Sequence, residues 1–411
     1  MTKQTNTNRW RPLVGGTLLN LVLGVFYSWS VYVIPLETEF EWTRQQLSYP
    51  YSIGLFTMAV MFVIAGRLHA TLGFRTIAAI GGILFGLGYF LTSFTTSLSW
   101  LCLSYGVLAG AGNGFGYSVA IPVISRWFPD KRGLALGIAV GGYGAGSGIF
   151  GPIASEILLP SYGWETTFRI YGVVFFAVAM VGAWLLTPAP DDYVPNGWDP
   201  SQLKAAVTRT VRDFTTSEML RDRSFYLLFI AYCLGSMAGL GLIGILTQWG
   251  VQEAGIASAA FYGLSIGAVG NTVGRVVSGS LSDKIGRLNV LRLMVSVSAV
   301  AMPLLYLQGS DVLVFMVGVF IVFYCYGTLL SVFAATSADF YGTKYLGVNY
   351  GLLFLAWGIA GLLGGRLAGF VVDTYGDYRL AFFGAATLSL ASLVTLLLTK
   401  APQSPETASA G

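Results

Sequence analysis

The sequence predicts an all-α membrane protein, with twelve transmembrane helices arranged as two pseudo-symmetric six-helix bundles. Three observations predict it. Hydrophobic residues make up 55% of the 411 residues and charged residues only 10%, with a mean hydropathy of +0.69; about 20 consecutive apolar residues suffice for one span. Basic residues segregate to one side of the apolar segments. Glycine-framed patterns recur 213 positions apart, Gly66 with Gly279 and Gly73 with Gly286.

Hydropathy places helices 1 to 12 at about 12–36, 46–66, 76–94, 98–126, 132–159, 166–187, 223–250, 257–281, 288–309, 312–338, 346–372 and 378–399. The polar interval at 188–222, with its prolines and charges, reads as a linker. It divides the chain into an N-terminal bundle (1–187), a cytoplasmic linker (188–222) and a C-terminal bundle (223–411). With both termini and the linker inside, only Arg44, Arg169 and Arg379 of the 23 Lys and Arg fall outside. Arg275 and Arg366 fall within spans. This bias predicts cytoplasmic termini, and the expected location is a bacterial inner membrane. The polar start MTKQTNTNRWRP leads into a full-length span with no small-residue cleavage site, so no removable signal peptide is expected.

Composition also excludes function classes. A net charge of +4, dispersed along the chain, gives no reason to expect a nucleic-acid partner. Cys102, Cys233 and Cys325 lie in or beside separate apolar segments without metal-ligand spacing and read as small hydrophobes. His69, the single histidine, is expected in the cytoplasmic turn after helix 2, so Ser–His catalysis and histidine metal sites lack material. No GxxxxGK[ST] occurs, so there is no ATP engine. Neither an enzyme nor a cofactor or metal is expected.

Helix 8 carries the strongest functional signal. Arg275 falls at bilayer depth, where a charge costs from about 3 kcal/mol on insertion scales to roughly 10 or more in simulations. Asn271, Arg275, Ser278 and Ser282 share one helical face, expected to look into a water-filled cavity. No Asp or Glu lies in the middle of a predicted span, so Arg275 is expected to await an anionic ligand. Arg366, in helix 11, is expected near the outer mouth, and Glu156 near the outer end of helix 5.

The repeat supplies the other candidates. RWFPDKRGLALG (126–137) matches DFYGTKYLGVNYG (339–351), placing Gly133 opposite Gly347 and Gly137 opposite Gly351. Parallel repeats place a site at their interface near mid-membrane. In helix 4, Gly106, Gly110 and Gly114 form a ridge for close packing. Asn113 and Tyr117 sit one turn apart beside that ridge, and the repeat sets Asn113 opposite Tyr326. Val140 and Tyr143 of helix 5 pair with Phe354 and Trp357 of helix 11. These suit an apolar wall around a small ligand. Leu23 and Tyr27 are candidate cavity residues in helix 1.

The stretch GSLSDKIGR (279–287) closely resembles the cytoplasmic-loop signature of the major facilitator superfamily. RWFPDKRGLALG and DFTTSEMLRDRSF resemble the oxalate:formate antiporter family, which is related to the monocarboxylate transporters. The resemblance implies that Arg275 binds a substrate carboxylate, as the helix-8 arginine does in those relatives. The chain departs from them in places. Trp357 stands where the oxalate carriers have a second cation, and Asn271 where animal monocarboxylate carriers have an aspartate. Helix 1 has no lysine, and Ala70 stands where the repeat would put Asp283.

The expected function is a secondary active transporter of small monocarboxylates of the lactate or pyruvate type. Its expected mechanism is proton-coupled symport by alternating access, its partners being the acid, a proton and the lipid bilayer. The alternatives are an oxalate:formate-type carboxylate exchanger and a membrane receptor sensing a small organic acid.

Overall fold

The protein is described here from a computed structural model, which covers residues 8–190, 193–195, 198 and 212–402. Much of the expected linker lies outside the described residues. The described chain is helical throughout, without strands.

Helix 1 is broken. It runs Trp10–Leu23, tightens into a 3-10 turn at Gly24–Ser28 and resumes at Ser30–Phe40, bent by 45°. At the start of that turn, helix 1 presses on helix 5: a Cβ at Gly24 would lie 1.9 Å from the Tyr143 carbonyl oxygen. Only glycine fits there. Helix 2 is Arg44–Leu72, and helix 3 Phe74–Thr92. Helix 4, from Leu98 to Trp127, passes through a π-helical stretch at Cys102–Ala109. Helix 5 (Arg132–Pro152) continues through a π-helical stretch, Ile153–Leu158, into helix 6 (Leu159–Leu185), with a break at Gly163, φ +73°. A short helix at Thr216–Met219 precedes helices 7 (Arg223–Gln252), 8 (Ala257–Ile285), 9 (Arg287–Gln308), 10 (Val312–Tyr341), 11 (Leu346–Tyr375) and 12 (Tyr378–Leu398).

Among the described residues, nine stretches are long and apolar enough to cross a membrane, ten when bent helix 1 counts as one span. The 54-residue stretch Arg132–Leu185 holds helices 5 and 6, and helix 8 completes the twelve.

The two halves repeat in detail. Gly73 (φ +75°, ψ 156°) and Gly286 (φ +93°, ψ 151°) each make a one-residue turn, between helices 2 and 3 and between helices 8 and 9. L-residues rarely adopt that φ. The expected ridge of helix 4 packs on helix 2. A Cβ on Gly110 would lie 2.8 Å from the Gly54 carbonyl, and one on Gly114 2.4 Å from that of Met58.

The halves meet through equivalent contacts. Between helices 5 and 8, a Cβ on Gly133 would lie 2.1 Å from the Gly279 carbonyl. Between helices 2 and 11, one on Gly66 would lie 2.4 Å from that of Gly347. Small residues permit such close approach. The first junction is latched by charge. Asp283 accepts the Gly133 and Leu134 amides at 2.9 Å each and pairs with Arg287 at 2.7 Å. Buried Asp339 of helix 10 bridges Arg132 and Arg287, the latter at 2.7 Å.

The second junction has Ala70 at the position equivalent to Asp283, and His69 fills the space instead. His69 is not in a turn: it lies in the last turn of helix 2, buried, with Nε2 3.1 Å from the Ser118 hydroxyl. Helix 2 is longer than hydropathy implied, because its final turn packs against helix 11 at Gly347. These contacts all lie on the face that carries the two ends of the described chain.

Candidate functional site

Where the halves meet, the candidate site is built around Arg275 on helix 8. Its side chain is fully buried. The Nε group donates to Asn271 Oδ1 at 3.0 Å, and Nη1 donates to the Val140 carbonyl of helix 5 at 2.6 Å. The guanidinium carbon stands 5.8 Å from the centre of the Tyr143 ring. None of the described carboxylates pairs with it, and Nη2 has no hydrogen-bond partner. A buried guanidinium with an idle donor is set up for a bidentate acceptor.

Only part of the expected helix-8 face lines this centre. Ser278 donates to the Tyr324 hydroxyl at 3.0 Å and also meets Thr328, while Ser282 accepts from Arg287 at 2.6 Å. Those two serines join helix 8 to helices 9 and 10, and the whole expected face, Asn271 and Arg275 included, is buried rather than open to a water-filled cavity. The change occurs because the lower turns of helix 8 pack directly on helix 10, a Cβ on Gly274 falling 2.2 Å from the Tyr324 carbonyl.

Tyr143 is the hub on the opposite wall. Its hydroxyl accepts from Asn113 Nδ2 at 3.0 Å and donates to the Met58 sulfur at 3.6 Å. The same Nδ2 donates to the Leu23 carbonyl at 3.2 Å, leaving Asn113 Oδ1 buried and unpaired. Tyr117 packs edge-on against Tyr143 with centroids 5.2 Å apart, and its hydroxyl is also unpaired. Leu23 itself turns its side chain onto Gly116 of helix 4.

A second chain of contacts crosses between the halves. Trp357 Nε1 donates to the Tyr326 hydroxyl at 2.8 Å, which lies 3.2 Å from that of Tyr27 in helix 1. Phe354 stacks on Trp357 at 4.8 Å, with Phe62 5.1 Å and Tyr117 5.4 Å away. Of these site residues Tyr27 alone is only half-buried. Arg366 and Glu156 are exposed and stand apart from the cluster.

Two participants were not anticipated. The offset of 213 relates Asn271 to Met58 and Arg275 to Phe62. Helix 2 thus presents a thioether and a phenyl ring where helix 8 presents an amide and a guanidinium. Applying the repeat backwards from Arg275 would have found them. The site is charged on one side of its pseudo-twofold axis and aromatic on the other.

The sequence pattern of the Major Facilitator Superfamily matches residues 16–365 and again 265–411. The chain belongs to this superfamily. Members of the superfamily are transporters, so this chain is a multi-pass membrane transporter and not an enzyme. Among similar superfamily members, the MFS-type transporter YhjX of Escherichia coli is 30% identical, covering 86% of this chain and 86% of that protein. The oxalate:formate antiporter of Oxalobacter formigenes is 29% identical over 93% of this chain and 89% of its own. Monocarboxylate transporter 13 of Rattus norvegicus is 30% identical over 92% and 86%. In fold, the chain is similar to the crystal structure of the superfamily transporter FucP, with a TM-score of 0.72 at 16% identity, covering 96% of this chain and 99% of that one.

Proposed function

We propose that this transporter carries small monocarboxylates of the lactate or pyruvate type together with a proton, by alternating access of its two halves. The observation that carries the reading is the buried, carboxylate-free Arg275 with its idle Nη2. In it, Arg275 holds the substrate carboxylate, and Asn113, Tyr117, Tyr27 and Tyr326 supply the remaining polar contacts. Tyr143 and Asn271 hold that set in place. Phe354, Trp357, Leu23 and Val140 enclose the short carbon tail, joined by Phe62. No described Asp, Glu or His reaches this cluster, so the proton travels with the acid, and transport is close to electroneutral. Charge bias supports cytoplasmic termini, and the proposed location is a bacterial inner membrane.

The oxalate:formate antiporter supports a second reading as exchanger, but a dicarboxylate would bring a second charge against Trp357 without a cation. An unpaired buried charge costs several kcal/mol. The test is uptake into liposomes of purified protein. Wild type is expected to concentrate labelled lactate under an inward proton gradient, whereas Arg275→Ala folds normally and loses uptake. Arg275→Lys also loses most of it, since an ammonium lacks the two-pronged contact. Lactate uptake that follows membrane potential and ignores the pH gradient would sink the symport reading.

A further inference from the structure

We infer that the site selects monocarboxylates bearing a hydrogen-bond donor on the carbon next to the carboxylate: 2-hydroxy acids in preference to 2-keto or unsubstituted acids. This rests on the reading of Arg275 as the carboxylate anchor. The distinguishing atom is Asn113 Oδ1. An amide can be turned over to exchange its oxygen and nitrogen, but here the Leu23 carbonyl fixes it. A backbone carbonyl only accepts, so the atom 3.2 Å from it must be Nδ2. The same nitrogen serves the Tyr143 hydroxyl. Oδ1 is therefore left as a fully buried acceptor without a donor.

Every other idle group in the cluster can donate. Arg275 Nη2 is a donor only. Trp357 can only donate to Tyr326, and the Tyr326 and Tyr27 hydroxyls share one hydrogen bond in which either is the donor. One of those two phenolic protons is left over whichever way that bond runs, and the Tyr117 proton is unspent. Arg275, Tyr117 and Asn113 are all gathered around Tyr143. The vacant complement is thus several donors and one acceptor. A carboxylate satisfies the donors, and a neighbouring hydroxyl satisfies Oδ1. A keto oxygen would set acceptor against acceptor, and a methylene would leave Oδ1 unpaired.

Titration calorimetry of the purified wild-type protein with lactate, pyruvate and propionate tests this. Lactate is expected to bind about tenfold or more tighter than either of the others, the usual penalty for a stranded buried acceptor. In Asn113→Leu the ratio of lactate to propionate affinity is expected to fall to about one. Pyruvate within about twofold of lactate in wild type would overturn the proposal while leaving the carboxylate anchor standing. Propionate as tight as lactate would overturn it too, by showing that the donor is the acid's own proton. Binding of none of the three would overturn both readings.

Discussion

Beside the Asp283 contacts, Asp339 joins the halves by pairing with Arg132 of one half while also holding Arg287 of its own, and Asp339→Asn tests what that junction does. Both arginines are nearly buried, with side-chain exposures of 9% and 3%. Removing one partner of a buried pair costs about 3–5 kcal/mol, because a charge is left uncompensated. Arg287 keeps Asp283 at 2.7 Å, so the lower figure applies, about 3 kcal/mol, or roughly a hundredfold in an equilibrium. That loss falls on the arrangement in which the termini-side junction is closed, since Arg132 belongs to one half and Asp339 to the other. The readout is alkylation of Ala135→Cys, a position buried in helix 5 beside the junction, with Cys102, Cys233 and Cys325 replaced. Asp339→Asn is expected to speed labelling by up to about a hundredfold at an intact melting transition. An unchanged labelling rate would refute the assignment of Asp339 as a clasp between halves. A collapsed melting transition would assign it to the fold instead.

Trp357→Lys removes an indole and adds a cation beside Tyr326. It is expected to weaken lactate binding and create measurable oxalate binding, read by competition. Strong oxalate binding by the wild type would show that one cation is enough and favour the exchanger. Gly24→Ala forces a methyl to within 1.9 Å of a backbone carbonyl. Clashes of that kind force backbone shifts worth about 1–3 kcal/mol or more, so the variant is expected to melt several degrees lower and to misplace Tyr27.

Much of this was written in the chain. Apolar length and the positions of Lys and Arg counted the spans, and the 213-residue offset anticipated the paired turns at Gly73 and Gly286. The candidate residues of helices 1, 4, 5, 8, 10 and 11 do cluster at one level, because pseudo-symmetric positions share depth. What the offset does not encode is rotation between neighbouring helices. It could not say that Asn113 spends both amide protons on Leu23 and Tyr143, or that Trp357 feeds Tyr326. Asp339 lay one residue beyond the predicted end of helix 10, and so its role between two arginines was not seen. The broken helix 1 was illegible for a similar reason. The contact of Gly24 with Tyr143, at the start of its 3-10 turn, joins residues more than a hundred positions apart.

The bond from Arg275 Nη1 to the Val140 carbonyl spans the two halves, and it bears on traffic rather than on recognition. When helices 5 and 8 part on the termini side, that bond must open. In an unloaded protein this strands a buried guanidinium, whereas a bound carboxylate supplies the missing acceptors. In the proposed cycle, return of the empty carrier is therefore expected to be the slow limb. Substrate on the far side then hastens exit, and counterflow outpaces net efflux. Equal rates of exchange and net efflux would show that the interhalf bond exerts no such brake.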